Sequence, residues 1–450
     1  MPLEVKDLMH PTRVVPAAFL AAIFLGTMLL MLPFSTSGGE GADFITALFT
    51  ATSAVCVTGL ITVDTPVYWS AFGQVIIMLL FQFGGLGIMT AATLLGLVAG
   101  RQLSLSGRAI ALTEHGHLNR SEAGSLMKLV FIVSIAIEAV VALLLWLRWW
   151  IGYGMGAGEA AWHGIFHSIS AFNNAGFSTF SDSLMSWQGD GLILGPVMAA
   201  IVIGGIGFPV LHELWTRRKT EMRRRQWSLH SRITLSVTLA LTVSGTVLLL
   251  AAEWNNPETL GGMSFADGLL NALFHSVTMR TAGFNAVDVG AFADQTLAIN
   301  YLFMMIGGGS AGTAGGLKVT TFALLGFVVW SEIRGHAETT IFSRRVGSQV
   351  VRQALSVVLI AIALVGLVTL LVSWIEPDIE FRFILFETIS AFATVGLSTG
   401  ITADLSIPSQ LLLIVLMFVG RVGTITFATA LALNTRATKF RYPEEQPIVG

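Results

Sequence analysis

The sequence predicts an all-α polytopic membrane protein with eight transmembrane helices built from four like repeats. Three observations predict this. Apolar residues make up 54% of the 450-residue chain and charged ones only 12%, far outside the range of a soluble globular protein. Eight stretches are long and apolar enough to cross a hydrocarbon core of roughly 30 Å. One short pattern, a Phe-containing Ser/Thr-rich run ending at a glycine, recurs four times.

The eight stretches are 14–33, 73–99, 126–150, 192–215, 233–252, 297–330 (interrupted), 350–374 and 411–434. Helices are the expected form, because a spanning segment must satisfy its own backbone polar groups. The first stretch follows Lys6 and Arg13, as a signal peptide would, but lacks a small-residue cleavage site and is read as a retained helix. Of the 25 Lys and Arg, all but Arg148, Arg280, Lys318, Arg382 and Arg421 fall in the two termini and three loops. The positive-inside rule makes those loops and both termini cytoplasmic, in a multi-pass protein of the cell (inner) membrane. The run "RRKTEMRRR" (217–225) is read as a topology anchor facing lipid headgroups rather than a nucleic-acid patch, and no nucleic-acid partner is expected. The single cysteine, Cys56, excludes an internal disulfide and reads as a small packing residue.

Between the spans of each pair lies the recurrent pattern. "LFTATSA" from Leu48, "IFHSISA" from Ile165, "LFHSVT" from Leu273 and "LFETISA" from Leu385 each lead into a glycine-containing segment: "SAVCVTGL", "SAFNNAGF", "SVTMRTAGF" and "SAFATVGL". Asp43, Glu159, Asp267 and Glu380 stand where each short helix would begin, and acids favour helix N-termini. At about three turns these helices are too short to span and suit re-entrant elements. Each second span then carries a small-residue group, "GGLG", "GGIG", "GGGS" or "GRVG", that lets helices approach closely. The arrangement is therefore four parallel helix–pore-loop–helix repeats around a pseudo-fourfold pore, with boundaries 1–100, 101–217, 218–335 and 336–450. Extended segments at Gly59, Gly176, Gly283 and Gly396 can turn carbonyl oxygens inward, since glycine tolerates the required angles. Four such segments can replace the hydration shell of a monovalent cation.

These residues resemble the Trk/Ktr/HKT superfamily of potassium transporters over nearly the whole chain, and within it the KtrB-like subunits. "VCVTGL", "NNAGFS", "RTAGFN" and "TVGLSTG" look like its four filter segments, and "GGGSAGTAGGLK" and "VGRVGT" like its inner-helix motifs. The first repeat starts within about fifteen residues of the N-terminus, without the extra hairpin typical of TrkH. The resemblance implies a selectivity filter binding K+ at Val57, Thr58, Gly59, Asn174, Ala175, Gly176, Thr281, Ala282, Gly283, Thr394, Val395 and Gly396. It implies an intramembrane gate of Gly307, Gly308, Gly309, Ser310, Ala311, Gly312, Thr313, Ala314, Gly315 and Gly316, with Lys318 and with Arg421 as an electrostatic barrier. It also implies a homodimer with one pore per protomer, Na+ as activator of K+ uptake, and a cytosolic RCK-domain ring (KtrA-like) that binds the regulatory nucleotide. Some plant relatives carry Ser at the first filter position and favour sodium, whereas all four positions here are Gly, which supports potassium. A sodium-permeable HKT-like transporter is the alternative.

Other features have competing readings. "GGGSAG" (307–312) satisfies a dinucleotide fingerprint, but a membrane helix rather than a strand precedes it, so the chain itself is not expected to bind nucleotide. His163 and His167 have the spacing of metal ligands on a helix, yet a hydrogen-bonding role is favoured, and by register His167 aligns with Thr50, His275 and Glu387. Glu138, within an apolar span, must face protein or water. Arg280, three residues before Gly283, is read as a brace donating to carbonyls of the loop. The tail "YPEEQPIVG" is expected to pack at a dimer interface or on the cytoplasmic face. A membrane-embedded enzyme or proton-coupled carrier would need one asymmetric constellation of acid, base and nucleophile. Here the repeated feature is glycine, and no enzyme is expected.

Overall fold

The computed structural model describes residues 11–102, 120–219, 227–336 and 338–423. The extreme N-terminus, most of the 101–128 loop, most of the 217–225 basic run, the last span beyond 423 and the C-terminal tail lie outside the described residues.

In the first repeat, α1 (Pro11–Leu30) leads to the short α2 (Phe44–Val55) and the long α3 (Ala71–Gln102). The second has α4 (Arg120–Leu147, prolonged by a π-helical turn Arg148–Gly152), α5 (Ala157–Asn173), α6 (Gly191–Ile206) and α7 (Phe208–Lys219). The third has α8 (Leu229–Glu253), α9 (Phe265–Thr278), α10 (Asp294–Met305) and α11 (Val319–Ile333). A two-stranded hairpin, β1 (Thr340–Ile341) and β2 (Arg344–Arg345), precedes α12 (Ser348–Ile375), α13 (Phe381–Ala393) and α14 (Ile407–Phe418).

The four short helices α2, α5, α9 and α13 occupy the predicted places, but their acids act differently. Asp43 caps α2, its carboxylate accepting from the Ile45 and Thr46 N–H groups at 3.1 Å each. Glu159 and Asp267 lie in the first turns of α5 and α9, where the helix dipole favours them. On α9 the cap is Ser264, which accepts from the Asp267 N–H. Glu380 is the N-cap residue of α13 without a side-chain capping bond.

Among the described residues, four uninterrupted helices are long and apolar enough to span: Ala71–Thr90, Lys128–Gly152, Leu229–Glu253 and Ser348–Ile375. Val14–Leu30, Val319–Ile333 and Ile407–Val422 are shorter apolar helices. The stretch 192–215, expected as one span, is instead two helices bent by 99°. The bend is at Gly207, whose φ of +93° suits glycine, and a Cβ there would overlap the Ser310 carbonyl oxygen.

The C-terminal ends of the long helices are stapled to the starts of their partners. Glu376, after α12, accepts from Ser406 N–H (2.9 Å), Ser406 Oγ (2.5 Å) and Ser409 Oγ (2.6 Å) at the start of α14. Glu253, at the end of α8, accepts from Ala293 N–H (3.0 Å) and Thr296 Oγ1 at the start of α10. Arg148 and Tyr153 donate to Asp190, the N-cap residue of α6, at 2.7 and 2.9 Å. Burial raises the Asp190 carboxyl, but these bonds and one from the Leu192 N–H outweigh it and hold the group below its ordinary range. The outward faces stay apolar: Phe24, Leu239 and Leu359 are each about two-thirds exposed at 67%, 66% and 65%. Such wide bare faces suit hydrocarbon and define a multi-pass membrane protein.

Candidate ion pathway

The short helices end at the molecular centre, and their last turns deliver four segments with one backbone pattern. In each, the residue two before the glycine has positive φ: Val57 (57°), Asn174 (58°), Thr281 (80°) and Thr394 (51°). The glycine is positive again: Gly59 (91°), Gly176 (72°), Gly283 (75°) and Gly396 (89°). Left-handed backbone at a β-branched residue costs of order 1–3 kcal/mol and persists only where the surroundings enforce it. Here it occurs at Val57, Thr281 and Thr394. An alternating hand turns successive peptide groups the same way.

The four glycines form a closed ring. A Cβ on Gly59 would lie 2.5 Å from the Ala175 carbonyl oxygen, and one on Gly176 would lie 2.9 Å from that of Ala282. One on Gly283 would lie 2.6 Å from the Val395 oxygen, and one on Gly396 would overlap the Thr58 oxygen. Each glycine therefore packs its bare Cα against the middle residue of the next segment, in the order 59, 176, 283, 396 and back to 59. All four glycines line a cavity of ≈ 180 Å³ that also touches Asp64, Ser178, Asp182 and Ser398.

A set of hydroxyls braces the ring, and sequence reasoning did not assign them. Ser53 Oγ accepts from the Gly59 N–H at 3.0 Å. Ser170 Oγ donates to the Phe177 carbonyl at 2.8 Å, and Thr278 Oγ1 to that of Phe284 at 2.5 Å. Ser390 Oγ accepts from the Gly396 N–H (3.1 Å) and donates to the Leu397 carbonyl (2.6 Å). The signal was visible: three of the four quoted segments open on the bracing serine itself. In the third the brace is Thr278, two residues past the opening Ser276.

Beneath the ring lies the glycine-rich loop. Its neck is closed by Gly307 N–H to Leu317 O (2.8 Å) and Val319 N–H to Gly308 O (3.0 Å). Its tip fills the break at Gly207: Gly309 and Thr313 N–H groups donate to Gly205 O (2.8 Å) and Gly204 O (3.1 Å), and the Phe208 N–H to Ala311 O (3.2 Å). Thr313 Oγ1 donates to Phe172 O (3.1 Å) and Asn174 Oδ1 (3.0 Å) at the end of α5. A Cβ on Gly315 would overlap Thr394 Oγ1, and one on Gly307 would lie 3.4 Å from Thr281 Cγ2. The loop thus touches the first residues of three of the four segments. Lys318 Nζ donates to Ala314 O (2.6 Å). Arg421, in the π-helical turn Val419–Gly423 after α14, is 2% exposed and donates to Thr313 O and, at 3.3 Å, to Gly84 O.

Of the remaining charged and ring side chains, Arg280 differs from expectation, whereas His163 and His167 make hydrogen bonds as expected. Arg280 donates to Thr242 Oγ1 on α8 (2.6 Å) and to Ser276 O on α9 (3.4 Å), so it ties the short helix to the long one rather than bonding the loop's own carbonyls. His163 Nδ1 meets Thr179 Oγ1 (2.6 Å), and His167 bonds His163 O (2.8 Å) and Ser178 Oγ (2.9 Å) beside Trp149 and Phe180. No group of three metal-ligating side chains occurs among the described residues. Glu387 accepts from Ser398 Oγ (2.5 Å), Thr399 N–H (3.0 Å) and Thr402 Oγ1 (2.9 Å). His167 and Glu387, in matching positions of the repeat, both fasten the chain just past the glycine.

A ring of four glycine-containing backbone segments at the centre of a multi-pass helical chain defines a membrane transport protein. The comparisons with known proteins agree. The chain belongs to the TrkH family of cation transport proteins, whose profile matches residues 3–440. It is 40% identical to "Ktr system potassium uptake protein B" of Bacillus subtilis over 98% of this chain and 97% of that one. It is 36% identical to "Potassium/sodium uptake protein NtpJ" of Enterococcus hirae over 100% and 99%. The fold resembles the crystal structure of the potassium transporter TrkH from Vibrio parahaemolyticus, with a TM-score of 0.73 at 19% identity, covering 96% of this chain and 87% of that one. This is a family of transporters, not of enzymes.

Proposed function

We propose that this chain is the ion-translocating subunit of a potassium uptake system, with the four glycine segments as its filter and the 307–316 loop as its gate. The observation that carries the reading is the closed ring. Four backbone segments, each bare of a Cβ at its narrowest contact, leave only peptide oxygens to meet an ion, and such a ring of carbonyls can substitute for the hydration shell of K+. The names of the relatives support potassium, and that of the Enterococcus protein supports a role for Na+.

The loop beneath the ring closes the path, held by Arg421 and by the break at Gly207. Arg421 contributes a cationic barrier in the same place. Opening requires the loop to leave both. A cytosolic RCK-domain ring binding nucleotide, acting on α11 beyond Lys318, is the proposed source of that motion. A homodimer in the cell membrane completes the reading, with both termini cytoplasmic as the distribution of Lys and Arg supports. The test is tracer flux into liposomes holding the chain alone: rubidium and potassium should enter and sodium should compete poorly. Flux without preference among these ions would overturn the filter assignment.

A further inference from the structure

Three glutamates are buried among the described residues: Glu138, Glu253 and Glu387, 6%, 0% and 1% exposed. Two of them are well supplied with donors. Glu253 accepts from Asn256 Nδ2 (2.7 Å), Thr259 Oγ1 (2.6 Å), Ala293 N–H (3.0 Å) and Thr296 Oγ1. Glu387 accepts from two hydroxyls and an N–H. Glu138 has neither hydroxyl nor backbone donor. It lies inside the apolar span Lys128–Gly152, and its partners are two side-chain amides: Gln82 Nε2, 3.1 Å from both carboxyl oxygens, and Asn173 Nδ2 at 3.4 Å.

The cluster is one donor short. Asn173 Nδ2 carries two hydrogens but faces three acceptors: Gln82 Oε1, Glu138 Oε1 and the Ile169 carbonyl at 2.9 Å. Asn173 Oδ1 is buried with no donor at all. Among the described residues no fixed positive charge makes up the deficit. Residues 71–90 of α3 and all of α6 carry no ionisable side chain. On α5, Glu159 and His163 lie in the outer half, and His167 is bonded to His163 O and Ser178 Oγ. Arg148, at the end of Glu138's own span, is paired with Asp190. Arg421 donates to Thr313 and Gly84 instead. An ionised carboxylate held by two neutral amides at hydrocarbon depth is strongly disfavoured.

We propose that Glu138 is a proton-binding site: it holds a proton at neutral pH, the proton completes the donor set of the Glu138–Gln82–Asn173 cluster, and its loss disturbs the end of α5. That end matters to transport. Asn173 immediately precedes the segment Asn174, Ala175, Gly176, and Phe172 O and Asn174 Oδ1 hold Thr313 of the loop. Ionisation of Glu138 would pull Asn173 toward the charge and loosen both. This last step rests on the proposed pore, whereas the proton site does not.

Two measurements on the full chain in lipid separate them. Infrared difference spectra between wild type and Glu138→Gln, taken from about pH 5 to about pH 9, should show a protonated-carboxyl stretch at neutral pH. The band should be present in wild type, absent from Glu138→Gln, and lost from wild type only at alkaline pH. No such band at neutral pH would overturn the site, and a band erased by sodium chloride at constant pH would assign the cluster to Na+ and overturn it too. Glu138→Asp should keep a protonated-carboxyl band with a shifted midpoint, which a merely misfolded variant would not do, so the assignment does not rest on Glu138→Gln alone. In rubidium flux, wild type should decline with the same midpoint, about tenfold per pH unit beyond it, as a single titration requires. Glu138→Gln should stay within about twofold over that range, far less than one titrating group would give. Flux independent of pH in wild type, with the infrared band still titrating, would overturn the coupling to the pore.

Discussion

Replacing Arg421 by Ala should release the loop. The guanidinium is buried and donates to the Thr313 and Gly84 carbonyls, so it joins the loop of the third repeat to the inner helix of the first. A hydrogen bond from a charged group contributes about 1.5–3 kcal/mol. The Gly84 contact, at 3.3 Å, is the weaker of the two, and one strong bond is the fair measure of the loss. That energy corresponds to roughly 10- to 150-fold in the ratio of closed to open loop. The loop keeps its backbone bonds to Gly204, Gly205 and Phe208, so it should become dynamic rather than unfold. The assay is rubidium flux into liposomes with the chain alone, with dimer content followed by size exclusion. Flux should rise by up to that factor while the preference for potassium over sodium stays unchanged. Equal or lower flux in a correctly assembled variant would refute the latch and place the barrier elsewhere.

Gly207→Ala forces a Cβ into the Ser310 carbonyl at a φ of +93°, at a cost of about 1–3 kcal/mol, and should likewise raise flux and lower thermal stability. Unchanged flux and stability would show that the bend and the loop are independent. The depressed Asp190 carboxyl contributes stability that is complete above the ordinary carboxylate value of about 4 and lost as pH falls through its lower folded value. Arg148→Ala should lower the unfolding temperature at neutral pH and flatten that acid limb, measured by thermal unfolding against pH. Cysteines placed at Tyr68, Ser183, Asp288 and Asp404 in a Cys56→Ala background should react with an impermeant reagent from outside intact cells, and ones at His117, Arg224 and Arg344 should not. A reversed pattern would overturn the orientation.

The four short helices and their glycines were legible because the repeat made each weak signal count four times. "SAVCVTGL" alone is an unremarkable turn, and only its three echoes mark it as a site. The break at Gly207 was not legible. "GGIGFP" reads as a small-residue stripe within one span, and its bend arises because Ser310, Ala311 and Gly312, about a hundred residues later, occupy the space that a straight helix would need. Arg280 illustrates the same limit, since its partner Thr242 belongs to the preceding helix and no local pattern points to it. The glycine-rich loop lies between these cases. Its glycines announce broken helix, but its docking on Gly204 and Gly205 is a tertiary fact. For Glu138, the sequence required only that it face protein or water, and the structure supplies Gln82 and Asn173.

The central claim is that the ring of Gly59, Gly176, Gly283 and Gly396 selects the ion, and the most direct measurement is the potassium-to-sodium flux ratio of four single Gly→Ser variants in liposomes. Each serine introduces a Cβ against the neighbouring segment at a left-handed backbone position, a strain of about 1–3 kcal/mol that should fall on the filter. If even half of it separates the two ions, the ratio should drop by roughly two- to twelvefold in each variant. Ratios equal to wild type in all four correctly assembled variants would contradict the claim that these glycines form the filter.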